Sequence, residues 1–175
     1  MNEELMPTAR RVRARIAAPA TAALLAALFA APMASAAPTQ TAAEVCDNIC
    51  IDGVRAATHS DHDRVVFDLG TGSLPTVTTM TNTTGEYGMP SGLSETVEIA
   101  GSSYLFVDFH PARSGDYAET NPVVEAFGLP TVKGVQFLYE QHAQPAFGIS
   151  LDGPVSRYNV FTLSSPNRVV IDIYR

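Results

Sequence analysis

Four polar residues crowd one short stretch, His59, Asp61, His62 and Asp63. Imidazole beside carboxylate is the pairing that acid–base chemistry and metal binding both use. Cys46 and Cys50 lie just upstream, so a zinc set of Cys46, Cys50, His59 and His62 can be drawn. Its spacing fits no standard finger. Aspartate and serine between two strand-like runs also turn a chain, and the cluster is read here as a turn. Asp108, His110 and His142 are scattered, and no serine stands in the strand-to-helix elbow of a hydrolase nucleophile. A small hydrolase using the His62 region is therefore a third reading, and no motif calls for a cofactor or a metal.

Tyr87, Arg113, Tyr117 and Tyr158 suit contact with a glycan or peptide better than they suit reaction. A tyrosine offers a flat apolar face and a hydroxyl together. Two long connections, Asn82 to Glu95 and His110 to Thr120, are rich in glycine, serine and charge, and each carries one of these tyrosines. Binding residues gather on loops held by a rigid scaffold, although such loops also serve as slack surface.

What must position these residues is a framework of strands. Asp63-Arg64-Val65-Val66-Phe67-Asp68-Leu69 reappears near the end of the chain as Asn167-Arg168-Val169-Val170-Ile171-Asp172-Ile173. Side chains alternate across a strand, so Val65, Phe67 and Leu69 share one face while Arg64, Val66 and Asp68 share the other. The arginine and aspartate of one copy are about 13 Å apart, too far to pair with each other. Laid side by side and antiparallel, the copies would set Arg64 opposite Asp172, Arg168 opposite Asp68 and Val66 opposite Val170. Each such pair contributes about 0.2–1 kcal/mol and helps fix register. A structural use of Arg64, Asp68, Arg168 and Asp172 is expected in preference to ligand binding.

Further period-two runs cover Ile51 to Thr58, Thr76 to Thr81, Thr96 to Ala100, Tyr104 to Phe109, Val132 to Tyr139, Phe147 to Leu151 and Tyr158 to Leu163. Glycine- and proline-bearing turns fall between them, as at Gly70-Thr71-Gly72 and Asp152-Gly153-Pro154. In the stretch Asn121 to Gly128, Asn121-Pro122 reads as the opening of one short helix, with Pro122 at its first position. The expectation is an all-β protein, a β-sandwich of two small sheets with at most one short helix.

Residues 1–36 read as a secretory signal peptide: Arg10, Arg11, Arg13 and Arg15, an apolar run from Ile16 to Ala31, then Ala34-Ser35-Ala36. The run is shorter than the ~20 residues of a membrane span, and Pro19 interrupts it. The pair Arg10-Arg11 leaves the Sec and twin-arginine routes both open. Residues 37–45 read as a flexible leader and 46–175 as one domain. Cys46 follows Ala43-Glu44-Val45, unlike a lipoprotein signal, so a secreted or envelope protein with no stable membrane anchor is expected. Without residues 1–36 the chain holds seven basic and sixteen acidic residues, a net charge of −9. Such an acidic chain lacks the basic stripe that nucleic acid or anionic lipid needs. Cys46 and Cys50, four apart in an oxidising compartment, favour a disulfide, a short loop worth roughly 2 kcal/mol at most.

The closing run Phe161-Thr162-Leu163-Ser164-Ser165-Pro166-Asn167 with Arg168 to Ile173 resembles the end of AMIN-type domains, which finish on a leucine, a proline turn, then arginine, aliphatics and aspartate. Gly53-Val54-Arg55-Ala56-Ala57-Thr58-His59 followed by Asp63 to Leu69 is similar to the start of AMIN-like domains of exported actinobacterial envelope proteins. Ser91-Gly92, Gly101, Leu105-Phe106-Val107 and Phe109-His110-Pro111-Ala112 fit the middle of that family. The resemblance implies a β-sandwich, an envelope location and non-catalytic targeting to peptidoglycan, which in relatives happens beside an amidase or secretin domain. No amidase or secretin segment is recognised in this sequence. The partner expected is peptidoglycan or another envelope component; a secreted protein–protein interaction domain is the alternative, and the oligomeric state stays open.

Overall fold

The computed structural model describes residues 46–120, 124–155 and 157–175. The expected signal peptide and leader lie outside these residues, as do Asn121 and Pro122. The strands are β1 (Ile49–Thr58), β2 (His62–Leu69), β3 (Thr76–Asn82), β4 (Glu86–Gly88), β5 (Ser94–Thr96), β6 (Ser103–His110), β7 (Ala112–Arg113), β8 (Val124–Ala126), β9 (Val132–Glu140), β10 (Pro145–Leu151), β11 (Tyr158–Leu163) and β12 (Arg168–Tyr174). One helical turn, α1 (Tyr117–Thr120), precedes β8. Two five-stranded sheets run β11-β12-β2-β1-β7 and β3-β6-β10-β9-β8, with β4 and β5 forming a separate hairpin. The fold is the all-β sandwich that the alternation of apolar residues implies.

Apolar side chains from both sheets meet in one core, among them Val65, Phe67, Val169 and Ile171 from the first and Leu105, Phe109, Phe147 and Ile149 from the second. Phe147 is its centre. Its ring takes edge contacts from Phe67 at 5.0 Å, Phe137 at 5.4 Å, and Phe109 and Tyr117 at 5.7 Å. Edge-to-face packing of this kind adds about 0.5–1.5 kcal/mol per pair beyond area burial.

β2 and β12 lie side by side and antiparallel, with Arg64 opposite Asp172, Val66 opposite Val170 and Asp68 opposite Arg168. The register inferred from the repeat is the one found. A second tie joins the sheets: the fully buried Asp63 carboxylate accepts the Thr131 and Val132 amides at 2.6 and 3.0 Å, at the start of β9.

The outer face of the second sheet is also covered, so β6 is buried on both sides. Residues 83–101 run across it as a strap, placing Tyr87 and Val97 on Phe106, Leu138 and Ala146. Gly148 and Gly134 make room for it. A Cβ on Gly148 would lie 2.5 Å from Val97 Cγ2, and one on Gly134 would overlap Ile99 Cδ1 and the Glu125 carbonyl. Side chains of the sheet satisfy the strap backbone: Gln136 Oε1 accepts the Glu98 amide at 2.6 Å, and Ser150 Oγ donates to the Ile99 carbonyl at 2.7 Å.

Two expected elements differ. The run Thr96 to Ala100 is strand only at Thr96, because Val97 to Ala100 cross the sheet instead of joining it. In the stretch read as a helix, Val124, Glu125 and Ala126 pair with Gln136, Val135 and Gly134 as an edge strand. The helical turn falls earlier, at Tyr117–Thr120, where it buries Tyr117 on the core.

Candidate functional site

The outer face of the first sheet is a grid, because residues opposite one another in antiparallel strands share a face. From β1 across β2 and β12 to β11, its rows are Ala57, Arg64, Asp172, Asn159; then Arg55, Val66, Val170, Phe161; then Gly53, Asp68, Arg168, Leu163. Charge thus brackets an apolar middle row that ends in an arginine and an aromatic ring. Val66 and Val170, centred in that row, are buried although they face outward.

Arg64 grips Asp172 with Nε to Oδ1 at 2.6 Å and Nη2 to Oδ2 at 2.8 Å. This pairing holds the Asp172 carboxyl below the ordinary carboxylate range against the opposing effect of burial, and raises the Arg64 guanidinium. Arg64 also lies over Phe161, Cζ at 5.7 Å from the ring centroid, within cation–π reach. The companion pair departs from expectation. Asp68 is taken by Arg55, reaching from β1 with Nε to Oδ2 at 2.7 Å and Nη2 to Oδ1 at 3.1 Å. Arg168 turns instead to the Pro166 carbonyl, with Nε at 3.2 Å. Arg55 is 57 % exposed in its side chain, so its pairing is the looser of the two.

The four residues proposed for ligand contact do not come together. Tyr87 is buried against Phe106 and Tyr139, and its hydroxyl donates to Asp108. Burial raises both the Tyr87 hydroxyl and the Asp108 carboxyl. Tyr117 is buried on Phe147 and its hydroxyl donates to Glu125 Oε1 at 2.7 Å. Both rings are therefore packing elements, which corrects the premise that they present exposed faces. Arg113 pairs with Glu140 at 2.8 Å, whose second oxygen accepts the Ser114 amide and hydroxyl. Burial pushes the Glu140 carboxyl up, but these donors outweigh it and hold it down. Tyr158 is half-buried at the sandwich edge, its hydroxyl 3.0 Å from Thr79 Oγ1.

The polar cluster at 59–63 is the β1–β2 turn. His59 and His62 stack at 4.6 Å, and the His59 amide donates to the His62 carbonyl at 2.8 Å. His62 Nδ1 lies 2.8 Å from Asp61 and Nε2 3.5 Å from Asp172, so both ring nitrogens face carboxylates. Arg175 clamps the turn, donating to the His59 and Ser60 carbonyls at 3.0 Å and to Asp63 Oδ1 at 2.8 Å. Cys46 and Cys50 are joined in a disulfide, Cα atoms 5.8 Å apart, which takes both sulfurs out of the zinc set. An open hollow of about 430 Å³ lined by Thr81, Asn82, Ser103 and Pro154 lies at the end of β3.

Arg55, Phe161 and Leu163 are among the residues of the grid that the sequence reading did not assign to a site. The signal for two of them was present: Phe161 and Leu163 alternate on β11 toward the solvent side.

Comparison with curated proteins and with solved structures yields no match. A family model described as AMIN-like domain matches residues 50–175, a span that holds nearly all of both sheets, the strap and the repeated arginine-to-aspartate strands. On a match over most of its length, the chain belongs to the AMIN-like domain family.

Proposed function

We propose that the chain is an exported, non-catalytic binding module of the cell envelope and that its ligand is peptidoglycan. AMIN-like domains occur in exported envelope proteins and are generally binding modules, which supports the reading. The observation that carries it is the grid: Arg55, Arg64 and Arg168, three of the seven basic residues in 37–175, gather on one face of a strongly acidic chain. Beside them stand Phe161, half-buried, and Leu163, 38 % exposed.

Guanidinium groups bind carboxylates in a planar, two-point geometry, and an aromatic ring takes the apolar face of a sugar. Peptidoglycan offers both partners, carboxylates on its peptide stems and rings along its glycan. Arg168, bonded to a backbone carbonyl, is the arginine of the grid to which a ligand carboxylate comes at least cost. Co-sedimentation with purified sacculi at low ionic strength tests the proposal. The chain should pellet with the sacculi and release no wall fragments; a clean supernatant, or fragment release, would refute it.

A further inference from the structure

We infer that His62 is a pH-operated latch: its charged ring ties the β1–β2 turn, through Asp61, to β12, through Asp172, and lets go when it loses a proton. His62 lies on the outer face of the first sheet, one row beyond Arg64 and Asp172, with Tyr174 opposite it on β12. Its side chain is 14 % exposed and that of Asp172 7 %, so their contact is largely shielded from water.

Hydrogen-bond chemistry selects the charged ring. Nδ1 stands 2.8 Å from Asp61 Oδ1, and Nε2 stands 3.5 Å from Asp172 Oδ1. A neutral imidazole has one N–H and one bare lone pair. Whichever nitrogen keeps the proton, the other turns its lone pair on a carboxylate oxygen. With the proton on Nδ1, where the acceptor is closer, Nε2 is buried without a hydrogen-bond partner among the described residues. The imidazolium instead donates from both nitrogens, one to each carboxylate. Both carboxyls are held ready to accept. The bond to His62 keeps Asp61 below the ordinary carboxylate range, and Arg64 first, then His62, does so for Asp172 against burial.

The other charges around the ring leave this preference in place. On the turn, His59 stacks on His62 at 4.6 Å and nearly parallel. Two charged imidazoles so placed repel, so the stack takes one added proton, which goes to the ring that two carboxylates face. On β2, Arg64 shares Asp172 but spends both of its bonds there on the two carboxylate oxygens. Beyond β12, Arg175 is held by Asp63 Oδ1. Arg157 lies over Tyr174, Cζ 4.0 Å from the ring centroid, and Tyr174 sets its own ring 5.4 Å from that of His62. Each guanidinium is thus engaged elsewhere, whereas both carboxylates point at the imidazole. Burial opposes charging, but it also strengthens charge-assisted hydrogen bonds once they form.

Because the fold favours the charged ring, the latch contributes stability on the acid side that is lost as pH rises through the range in which imidazoles titrate, about 5 to 8. Urea unfolding at steps from pH 8 to pH 5.5 tests this. The folding equilibrium constant of the wild type should rise about threefold or more over that interval. His62→Gln should abolish the rise and His59→Gln should keep it, with near-UV circular dichroism to verify that each variant retains its packing. Nitrogen-15 spectra of the wild type carry the same test should a variant misfold. At pH 5.5 both ring N–H protons of His62 should be visible, slowed in exchange with water by their carboxylate acceptors. Stability that stays flat from pH 8 to pH 5.5 overturns the inference. So does a rise that survives in folded His62→Gln or vanishes in His59→Gln, or an Nε2 proton that exchanges too fast to be seen.

Discussion

Arg64 and Asp172, 108 residues apart in the chain, close the two ends of the domain through two hydrogen bonds across β2 and β12. Asp172 is 7 % exposed in its side chain, so without Arg64 it would be a nearly buried carboxylate lacking its guanidinium. Arg64→Ala should cost about 1–3 kcal/mol, less than a fully buried pair because Arg64 itself keeps contact with solvent. A double-mutant cycle of Arg64→Ala and Asp172→Ala in urea should return a coupling of about 1 kcal/mol or more. The matching cycle for Arg168→Ala and Asp68→Ala should return about zero, since Asp68 is held by Arg55. Equal couplings would contradict the asymmetry.

The pH dependence has a definite sign. Asp172 is held low by Arg64 against burial. Burial pushes Asp63 up, but the Val132 and Thr131 amides, the Thr58 hydroxyl and Arg175 outweigh it and hold it low. Glu140 is likewise low. Each of these groups contributes stability that is fully present above the ordinary carboxylate value of about 4 and is lost as pH falls through its lowered native value. Asp108, raised by burial, acts the other way and offsets part of the loss. Urea stability should therefore decline from about pH 5 to about pH 2. Asp172→Asn should lower stability at neutral pH and make that decline shallower; an unchanged slope would count against the assignment.

The strap depends on two glycines inside strands. Gly134→Ala should destabilise by about 1–3 kcal/mol, because the new methyl meets the Glu125 carbonyl as well as Ile99. Gly148→Ala should cost less, since the atom in its way is the Val97 side chain. Hydrogen exchange of the Val97 and Glu98 amides should quicken in both variants, and unaltered exchange would show that the strap does not need this clearance.

The β2–β12 ladder was legible in the sequence because two copies of one alternating pattern admit one antiparallel register with charges matched. The partner of Asp68 was not. Arg55 reaches it diagonally from β1, and a pattern on two strands says nothing of a third. The strap was not legible as a strap because Val97 and Ile99 alternate over Thr96 to Ala100 as a strand of a sheet would, and Tyr87 stands alone in a polar stretch. Its trace in the sequence is indirect, the glycines at 134 and 148 within otherwise regular strands. Tyr87 and Tyr117 read as loop residues in the sequence but lie in β4 and α1, and the burial of a tyrosine outside the main sheets depends on what lies beneath it, which only the packed sheets supply.

Tyr87→Phe should lower stability by about 1–3 kcal/mol by stripping a donor from the half-buried Asp108, with no effect on ligand binding. Tyr117→Phe should behave similarly through Glu125. Loss of binding in a variant that keeps its thermal midpoint would restore these tyrosines to the ligand surface.

The assignment of the envelope ligand to the grid on the first sheet is a proposal with a direct test. It is tested by co-sedimentation with purified sacculi of the wild type against a variant carrying Arg168→Glu and Phe161→Ala, both matched for near-UV circular dichroism. The wild type should pellet and the folded variant should stay in the supernatant, with binding weakened about tenfold or more. Equal pelleting of the two would contradict it.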